Sequence, residues 1–366
     1  MKVAFFIGSL NRGGTEMLTL DIFQRKETLP FEPILVYRNE GTLSDAYHAT
    51  GVPRYRLKPQ GSKLRYLKDL RQLLKREGVD ILHAQTLTNA LFGILCTACS
   101  RVKLVFTFHG LFSSKSNLPA RHLAIWCADA SVFVSGYVRD WYFRHTLFCP
   151  KRRCHLVYNG INFDKIETPY PEPAFFGECE STPGIRLGMV GNFVNGRSQI
   201  VVCKALKLLK DKGADFHFYF IGKPSEVEPG LFDACAGYCR ENGLSSSAHF
   251  LGSRGDVPAI LQHLDGFVFS TVRDTFGIAV IEALSAGLPV IANDWDVMKE
   301  ISGEGRWFEL FRSGDEHDCC DKMLDLIAHL ETRKEKACRD AAAVKALYSI
   351  DNHIAALNQV YEKTLL

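Results

Sequence analysis

Two acidic residues, Asp274 and Glu282, are separated by seven residues and flank a predicted turn between a strand and a helix. The apolar run Gly266–Ser270 before them is typical of a buried parallel strand. The helix is expected to begin at about Gly277, with the amides of Gly277 to Ala279 free to bind a phosphate at its positive dipole end. Glu282, inside the helix, could accept a hydrogen bond from a ribose hydroxyl. Considered without the rest of the sequence, this segment is equally consistent with an ordinary strand–turn–helix unit that has an acid on its surface.

A cation follows the strand that the sequence predicts at Ile185–Val190. Gly191 and Asn192 come directly after this strand, and Arg197 stands where the next helix opens. A guanidinium can bind phosphate oxygens as a fork and can neutralise the charge of a departing phosphate. A solvated arginine in the first turn of a helix is the alternative interpretation.

A glycine pair follows the first predicted strand. Gly13 and Gly14 precede a helical pattern, and they allow a ligand to approach the backbone amides closely. The loop is not G-x-G-x-x-G, so the dinucleotide-binding fingerprint is absent. A plain flexible turn is the alternative here.

Histidines end two further strand patterns. His109 follows the apolar strand Lys103–Phe108 and precedes Gly110, and His83 lies in the strand Ile81–Ala84. A lone histidine after an apolar strand is more often structural than catalytic. The residues alone therefore favour a structural role for both histidines.

The elements that must position these residues alternate between strands and helices, which predicts an α/β protein with parallel sheets covered on both faces. At 366 residues the chain is too long for one ordinary core. We expect a first domain at 1–167, a linker at 168–184, a second domain at 185–348 and a final helix at 349–366. Ligands of such doubly wound sheets bind beyond the carboxyl ends of the strands. The strands predicted in the first half are Val3–Ile7, Pro33–Tyr37, Ile81–Ala84, Lys103–Phe108 and Ser131–Val134.

Composition narrows the class of protein. Apolar residues make up 46% and charged residues 23%, as in soluble globular proteins, and a net charge of +3 is too small to indicate nucleic-acid binding. No apolar run is long enough to span a membrane, and the short apolar start has the pattern of a first strand rather than a signal peptide. Twelve cysteines in a βα pattern are expected to be reduced thiols of a cytoplasmic protein. Cys96 and Cys99 form a C-x2-C pair without a second pair, so no metal site is expected.

Taken in order, these motifs resemble those of the retaining glycosyltransferases of family 4, which have the GT-B fold. That family has an acid-x7-acid signature followed by G-x-P-V, which here is Asp274, Glu282 and Gly287–Val290. It also has a G-G-x-E loop, here Gly13–Glu16, and a T-x-H-G strand end, here Thr107–Gly110. The chain departs from the family pattern at three places: Asp274 replaces a glutamate, Asn192 replaces an arginine, and Asn293-Asp294-Trp295 replaces a pair of glycines.

The resemblance implies two doubly wound, Rossmann-like domains that face each other across a cleft, and a metal-independent hexosyltransferase. It also implies a nucleotide diphosphate sugar, UDP- or GDP-linked, as donor substrate and a glycan or lipid-linked acceptor in polysaccharide biosynthesis, with no other cofactor. His109, Asp274 and Glu282 would be the catalytic residues, with His109 forming a hydrogen bond to a sugar hydroxyl rather than abstracting a proton. His83 would have an architectural or acceptor-side role, and the helix at 349–366 would cross back to the first domain, as the final helix of GT-B proteins does. The donor would be bound by Gly13, Gly14, Asn192, Arg197, Gly222, Lys223, Ser253, Arg254, Phe276, Gly277, Ile278, Ala279 and Glu282.

Other functions remain open at this stage. A nucleotide-sugar epimerase of the same fold would need no acceptor, and a non-catalytic protein could bind the nucleotide sugar without transferring it. The predicted helix at Leu64–Arg76 has many cations opposite its leucines. A solvated face explains them, and peripheral contact with anionic lipid at the inner face of a membrane is the alternative.

Overall fold

The computed structural model describes residues 1–58, 62–111, 114, 117–179 and 183–366. The chain forms two compact units, one of Met1–Ile161 with Tyr348–Leu366 and the other of Asn162–Leu347. The first division lies six residues before the predicted end of the first domain. Most of the segment predicted as a linker therefore belongs to the second unit, and residues 180–182 of that segment lie outside the described residues.

The first unit contains a parallel sheet with the strand order β3-β2-β1-β4-β5-β6-β7. The five predicted strands are confirmed within one residue at each end. Two strands that were not predicted, β3 and β7, lie at the edges, and each is only three residues long, so their sequences are too short to show a strand pattern. The strands are β1 (Lys2–Phe6), β2 (Glu32–Tyr37), β3 (Arg54–Arg56), β4 (Ile81–Ala84), β5 (Lys103–Phe108), β6 (Ala130–Phe133) and β7 (Cys154–Leu156).

Helices connect these strands, as parallel pairing requires. Hydroxyl side chains cap several of them: Ser62, Thr86 and Ser135 each accept a hydrogen bond from the first turn of the helix that follows. Each cap satisfies an amide that would otherwise lack an acceptor, which fixes where the helix begins. The helices are α1 (Gly14–Gln24), α2 (Ser44–Ala49), α3 (Lys63–Arg76), α4 (Leu87–Thr97), α5 (Leu118–Cys127) and α6 (Gly136–His145).

The second unit repeats this plan with the strand order β10-β9-β8-β11-β12-β13, again parallel in every pair. In both sheets the order reverses at the first strand of the unit, so the loops after β8 and its neighbour β11 flank the topological switch point where such sheets bind ligands. The strands are β8 (Ile185–Val190), β9 (Phe216–Ile221), β10 (Ala248–Gly252), β11 (Gly266–Phe269), β12 (Val290–Asn293) and β13 (Glu309–Phe311). The helices are α7 (Asp164–Glu167), α8 (Phe175–Cys179), α9 (Gln199–Asp211), α10 (Gly230–Glu241), α11 (Val257–Gln262), α12 (Ile278–Ser285), α13 (Asp296–Ile301), α14 (Glu316–Ala328) and α15 (Leu330–Tyr348).

The final helix, α16 (Ile350–Leu365), belongs to the first unit. Its apolar face, with Ile354, Leu357 and Tyr361, is part of the buried core around β1 and β2. Gly160 allows this packing, because a Cβ there would lie 2.7 Å from the Cα of Ile350. Within the described residues, none of the helices is both long and apolar enough to cross a bilayer.

Candidate functional site

Asp274 organises the turn between β11 and α12 in the second unit. Its Oδ1 accepts hydrogen bonds from the amides of Thr275 at 2.7 Å, Phe276 at 3.1 Å and Gly277 at 3.1 Å. Gly277 has φ +78°, and a Cβ there would lie 2.8 Å from Cε of Met298. Both the backbone conformation and the close approach of this side chain therefore favour glycine. Asp274 thus fixes the turn that starts the helix.

One expectation about this turn is wrong. The amide of Gly277 was predicted to be free for a phosphate, but it donates to Asp274, because the short aspartate folds back over its own turn. The next two amides, of Ile278 and Ala279, have no protein acceptor among the residues that the structure describes. They remain the donors that this helix N-terminus can offer to an anion. Glu282, four residues after Ile278 in α12, is partly buried.

The second oxygen of Asp274 pairs with the predicted phosphate-binding arginine. Arg197 Nη1 lies 2.9 Å from Asp274 Oδ2, and the side chains are only 24% and 11% exposed. Arg197 Nη1 also donates to Thr271 Oγ1 at 3.0 Å, and the guanidinium lies 5.0 Å from the centroid of the Phe269 ring. The two residues follow adjacent strands, β8 and β11, so the switch point brings together what the sequence separates by more than seventy residues.

A buried polar network that the sequence did not reveal holds this pair. Asn293, at the end of β12, exchanges two hydrogen bonds with the backbone of Thr271, of 2.8 and 2.7 Å, and donates to Ser313 Oγ at 2.7 Å. Thr271 Oγ1 donates to the carbonyl of Gly196 at 2.7 Å, beside Arg197. The polar residues directly after apolar strands were the available signal for this network.

Trp295 stands where the family pattern has glycine, and it also supports the turn. Its Nε1 donates to the carbonyl oxygen of Asp274 at 3.1 Å. The loop after β12 therefore contacts the turn after β11 through a large partly buried ring, which a glycine pair could not do.

Asn192, which stands where the family pattern has an arginine, joins two loops of the second unit. Its Oδ1 accepts a hydrogen bond from the amide of Lys223 at 3.0 Å. The loops approach so closely that a Cβ on Gly222 would lie 2.1 Å from the carbonyl oxygen of Gly191. The Gly222 amide also donates to the carbonyl of Gly252 at 2.8 Å, so this glycine joins the ends of three neighbouring strands.

The remaining predicted donor-binding side chains of the second unit differ in their surroundings. The ammonium of Lys223 is exposed and lies 3.7 Å from Glu226. Arg254 forms two hydrogen bonds to Asp256, of 2.8 and 2.6 Å, and these raise the pKa of Arg254 and lower the pKa of Asp256. Ser253 is exposed beside it. Arg254 is therefore neutralised by its own loop, and Lys223 is the more accessible of these two cations.

In the first unit, His109 lies after β5 at hydrogen-bond distance from the end of β4. Its Nε2 lies 2.6 Å from Oε1 of the buried Gln85, which places the proton on Nε2 and leaves Nδ1 as an acceptor. Burial, with a smaller contribution from His353, lowers the pKa of His109 to about 3. The ring is therefore neutral at pH 7 and is a weak base, which suits the predicted hydrogen-bonding role.

His83 is wholly internal to the first unit. Its Nδ1 lies 2.6 Å from the hydroxyl of Tyr361 in α16, and its Nε2 lies 2.7 Å from Oγ1 of Thr107 in β5. Burial, together with His109 and His353, lowers the pKa of His83 to about 3. This neutral ring links β4, β5 and the final helix through hydrogen bonds.

The glycine pair lies at the start of α1, with Gly13 as the cap and Gly14 as the first helical residue. A Cβ on Gly13 would lie 2.5 Å from Oε2 of Glu16, so the glycine makes room for this carboxyl over the helix start. Burial raises the pKa of Glu16. The carboxyl of Glu16 complements the helix dipole, and an anionic ligand at these amides would lie beside this carboxyl.

Comparisons with known proteins agree with this architecture. Residues 184–329 match the family Glycosyl transferases group 1, and residues 12–165 match Glycosyltransferase Family 4. The putative glycosyltransferase EpsF of Bacillus subtilis is 22% identical over 83% of this chain and 82% of its own length. An Escherichia coli UDP-Gal:alpha-D-GlcNAc-diphosphoundecaprenol alpha-1,3-galactosyltransferase is 21% identical over 77% of this chain and 76% of its own length.

A solved structure extends the likeness to the whole fold. Anabaena Alr3699/HepE in complex with UDP and glucose superposes with a TM-score of 0.87 at 17% identity, over 99% of this chain and 100% of that chain. The two family matches together span most of the sequence, on either side of the division between the units. The chain is therefore a glycosyltransferase of the group 1, family 4 type with the GT-B fold.

Proposed function

We propose that this glycosyltransferase is a retaining hexosyltransferase that uses a nucleotide diphosphate sugar, with UDP as the first candidate nucleotide, and a glycan or lipid-linked acceptor. The Anabaena neighbour was solved with UDP and glucose, and the name of the Escherichia coli relative contains a UDP-linked donor and a diphosphoundecaprenol acceptor. The proposed product class is a cell-surface polysaccharide, for which a lipid-linked acceptor would be the substrate.

The observation that carries the proposal is the grouping of diphosphate-binding elements at the switch point of the second unit. Arg197 is held in one place by Asp274 and Thr271, and the amides of Ile278 and Ala279 open α12 on the same turn. A fixed guanidinium and helix-terminal amides stabilise a leaving diphosphate without reorganising during the reaction. Glu282 would bind the ribose from the same helix.

Two of the candidate residues, His109 of the first unit and Asp274 of the second, favour the leaving phosphate itself as the base. His109, whose pKa is lowered to about 3 by burial, would be a poor base for the acceptor hydroxyl at neutral pH. Asp274 would be a poor nucleophile, because Oδ1 accepts three amides and Oδ2 pairs with Arg197. Attack from the face that the diphosphate leaves, with a phosphate oxygen taking the proton, gives retention. In this scheme His109 binds a sugar hydroxyl.

Donor binding is tested first by thermal unfolding of the full chain with UDP, UDP-glucose, UDP-galactose and GDP-mannose. A ligand at a hundred times its dissociation constant should add about 2.7 kcal/mol of stability. Glu282→Gln should remove most of this shift. The matched control is Glu335→Gln, at a side chain 73% exposed on α15, which should keep the shift.

Retention is tested by NMR of the product formed with the donor that binds. The anomeric configuration of the transferred hexose should equal that of the donor, and an inverted product would refute the proposed mechanism. Stoichiometric release of UDP and a free epimerised sugar without an acceptor would instead indicate an epimerase. Donor binding with neither product would indicate a non-catalytic protein.

A further inference from the structure

Large apolar side chains are exposed together at one place on the first unit. They come from α5 and from the segment after α6, and their exposed fractions range from 43% to 93%, the highest being that of Phe148. We call this group the apolar patch: Leu118, Leu123, Trp126, Leu147 and Phe148. Contiguous exposed apolar side chains on a folded domain commonly mark a surface that contacts a partner.

Hydrogen bonds join the two parts of the patch into one surface. Trp126 Nε1 donates to the carbonyl of Leu147 at 2.9 Å, and the amide of Leu147 donates to Nε2 of His122 at 3.4 Å. Phe148 has φ +50°, a region that non-glycine residues rarely adopt. The chain thus accepts an unfavourable backbone conformation at the residue whose ring is 93% exposed.

Exposed cations flank part of the patch along the chain. Arg144 precedes it in α6, and a short 3₁₀ turn, Lys151–Arg153, follows it, and all four cations are exposed. Between residues 118 and 153 the chain has six lysines and arginines and only two acids, Asp129 and Asp140. An apolar surface flanked by positive charge is complementary to the headgroups and acyl chains of an anionic bilayer.

The neighbouring helices extend the positive surface. α3 packs beside α4, and α4 packs beside α5. Tyr66, Leu70, Leu73 and Leu74 of α3 are buried, whereas its cations and Leu64 face solvent. These exposed cations are Lys63, Arg65, Lys68, Arg71, Lys75 and Arg76.

We infer that the first unit docks on an anionic lipid bilayer by inserting the apolar patch, with Lys151–Arg153 and the exposed face of α3 binding the headgroups. This inference rests on the proposed use of a lipid-linked acceptor, which a bilayer would present to the enzyme. Self-association of two copies through the same patch is disfavoured, because a twofold interface would bring the cationic turn of each copy towards the other.

Flotation of the full chain with vesicles tests the inference. Vesicles of phosphatidylcholine with 30% phosphatidylglycerol should bind the protein, and pure phosphatidylcholine vesicles should bind it weakly. Phe148→Ser should weaken binding to the anionic vesicles by about tenfold or more, from the loss of one buried aromatic ring. Replacing Lys151, Arg152 and Arg153 by glutamine should weaken it further and reduce its dependence on salt. The matched control is Val227→Ser, at an apolar residue 89% exposed in the second unit, which should bind like the unchanged protein.

Three outcomes would overturn the inference: no binding to anionic vesicles, equal binding of Phe148→Ser and Val227→Ser, or a concentration-dependent dimer that Phe148→Ser abolishes. The proposed function is judged separately by the thermal shift with UDP and UDP-sugars in the absence of lipid. Phe148→Ser should leave that shift unchanged. A normal shift without vesicle binding would therefore reject the docking surface alone, and vesicle binding without any nucleotide shift would reject the proposed donor.

Discussion

Arg197 and Asp274 form a largely buried ion pair, with 2.9 Å between Nη1 and Oδ2, at the switch point of the second sheet. The same carboxylate accepts the amides of the turn that starts α12. One side chain therefore fixes both the cation and the helix that the proposed site uses for a diphosphate. An aspartate one methylene shorter than glutamate is suited to this, because it can reach back over its own turn while still contacting the arginine.

We predict that Arg197→Gln weakens UDP binding by about tenfold or more, since hydrogen bonds to charged groups contribute roughly 1.5–3 kcal/mol. The affinity of Arg197→Lys for UDP should lie between those of Arg197→Gln and the unchanged protein, because lysine keeps the charge but loses the planar fork. Calorimetric titration with UDP measures both. Lys207→Gln, a surface cation of α9 paired with Asp211, is the control and should bind UDP normally. Equal affinities in all three variants would remove Arg197 from the donor site.

Removing the carboxylate of Asp274 should destabilise the protein as well as the site. Asp274→Ala should lower the free energy of unfolding by about 1–2 kcal/mol, the usual effect of losing a capping side chain, and Asp274→Asn should lower it less because an acceptor oxygen remains. Urea denaturation provides the measurement. Asp315→Ala removes the cap of α14, where Asp315 accepts the amide of Asp318. Asp315→Ala should lose similar stability without weakening UDP binding. If Asp315→Ala also weakened UDP binding, lost stability alone would explain weaker binding by the Asp274 variants.

Gly222→Ala should destabilise the second unit by about 1–3 kcal/mol, the range found when a packed region is overfilled. Its Cβ would lie 2.1 Å from a backbone oxygen, which cannot move aside like a flexible side chain. Gly230→Ala, at the first residue of α10 with no neighbouring atom within 4 Å of the new Cβ, should be neutral or slightly stabilising. Thermal unfolding of the two variants tests the close approach of the loops, and equal midpoints would contradict it.

Acid should destabilise the first unit through its buried histidines. Burial lowers the pKa of His83 to about 3 and that of His353 to about 4, so both stay neutral in the folded state while the unfolded chain takes up protons below pH 6.5. The free energy of unfolding should therefore fall as the pH drops from about 6.5, by roughly 2 kcal/mol per buried histidine between pH 7 and pH 5.

Urea denaturation at pH 7 and pH 5 measures this slope. His353→Gln should reduce the slope, because glutamine can still donate to the carbonyl of Tyr158 but does not titrate. His329→Gln, at an exposed histidine of the second unit, should leave it unchanged. If His353→Gln left the slope unchanged, groups other than His353 would cause the loss of stability at low pH.

Local patterns in the sequence were sufficient to predict most of the fold. The apolar strands of the first half and the helix at Ile350–Leu365 follow from hydrophobic runs and periodicity, which act over a few residues. The edge strands β3 and β7 could not be predicted, because three residues are too few to show a strand pattern and become a strand only when a neighbouring strand pairs with them.

The candidate site likewise has features that the sequence predicts and features that only the tertiary structure decides. The sequence by itself determined which residues could do the chemistry, since Arg197, Asp274 and His109 each follow a recognisable strand, and Glu282 lies inside the helix that comes after Asp274. Only the tertiary structure decided that Arg197 pairs with Asp274, that Asn293 fastens Thr271 beside them, and that the Gly277 amide is already used. The Gly277 contact depends on the backbone conformation of its own turn. The other two contacts depend on which strands lie next to each other in the sheet, and strand order is a property of the whole packed unit, which no short segment of the sequence encodes.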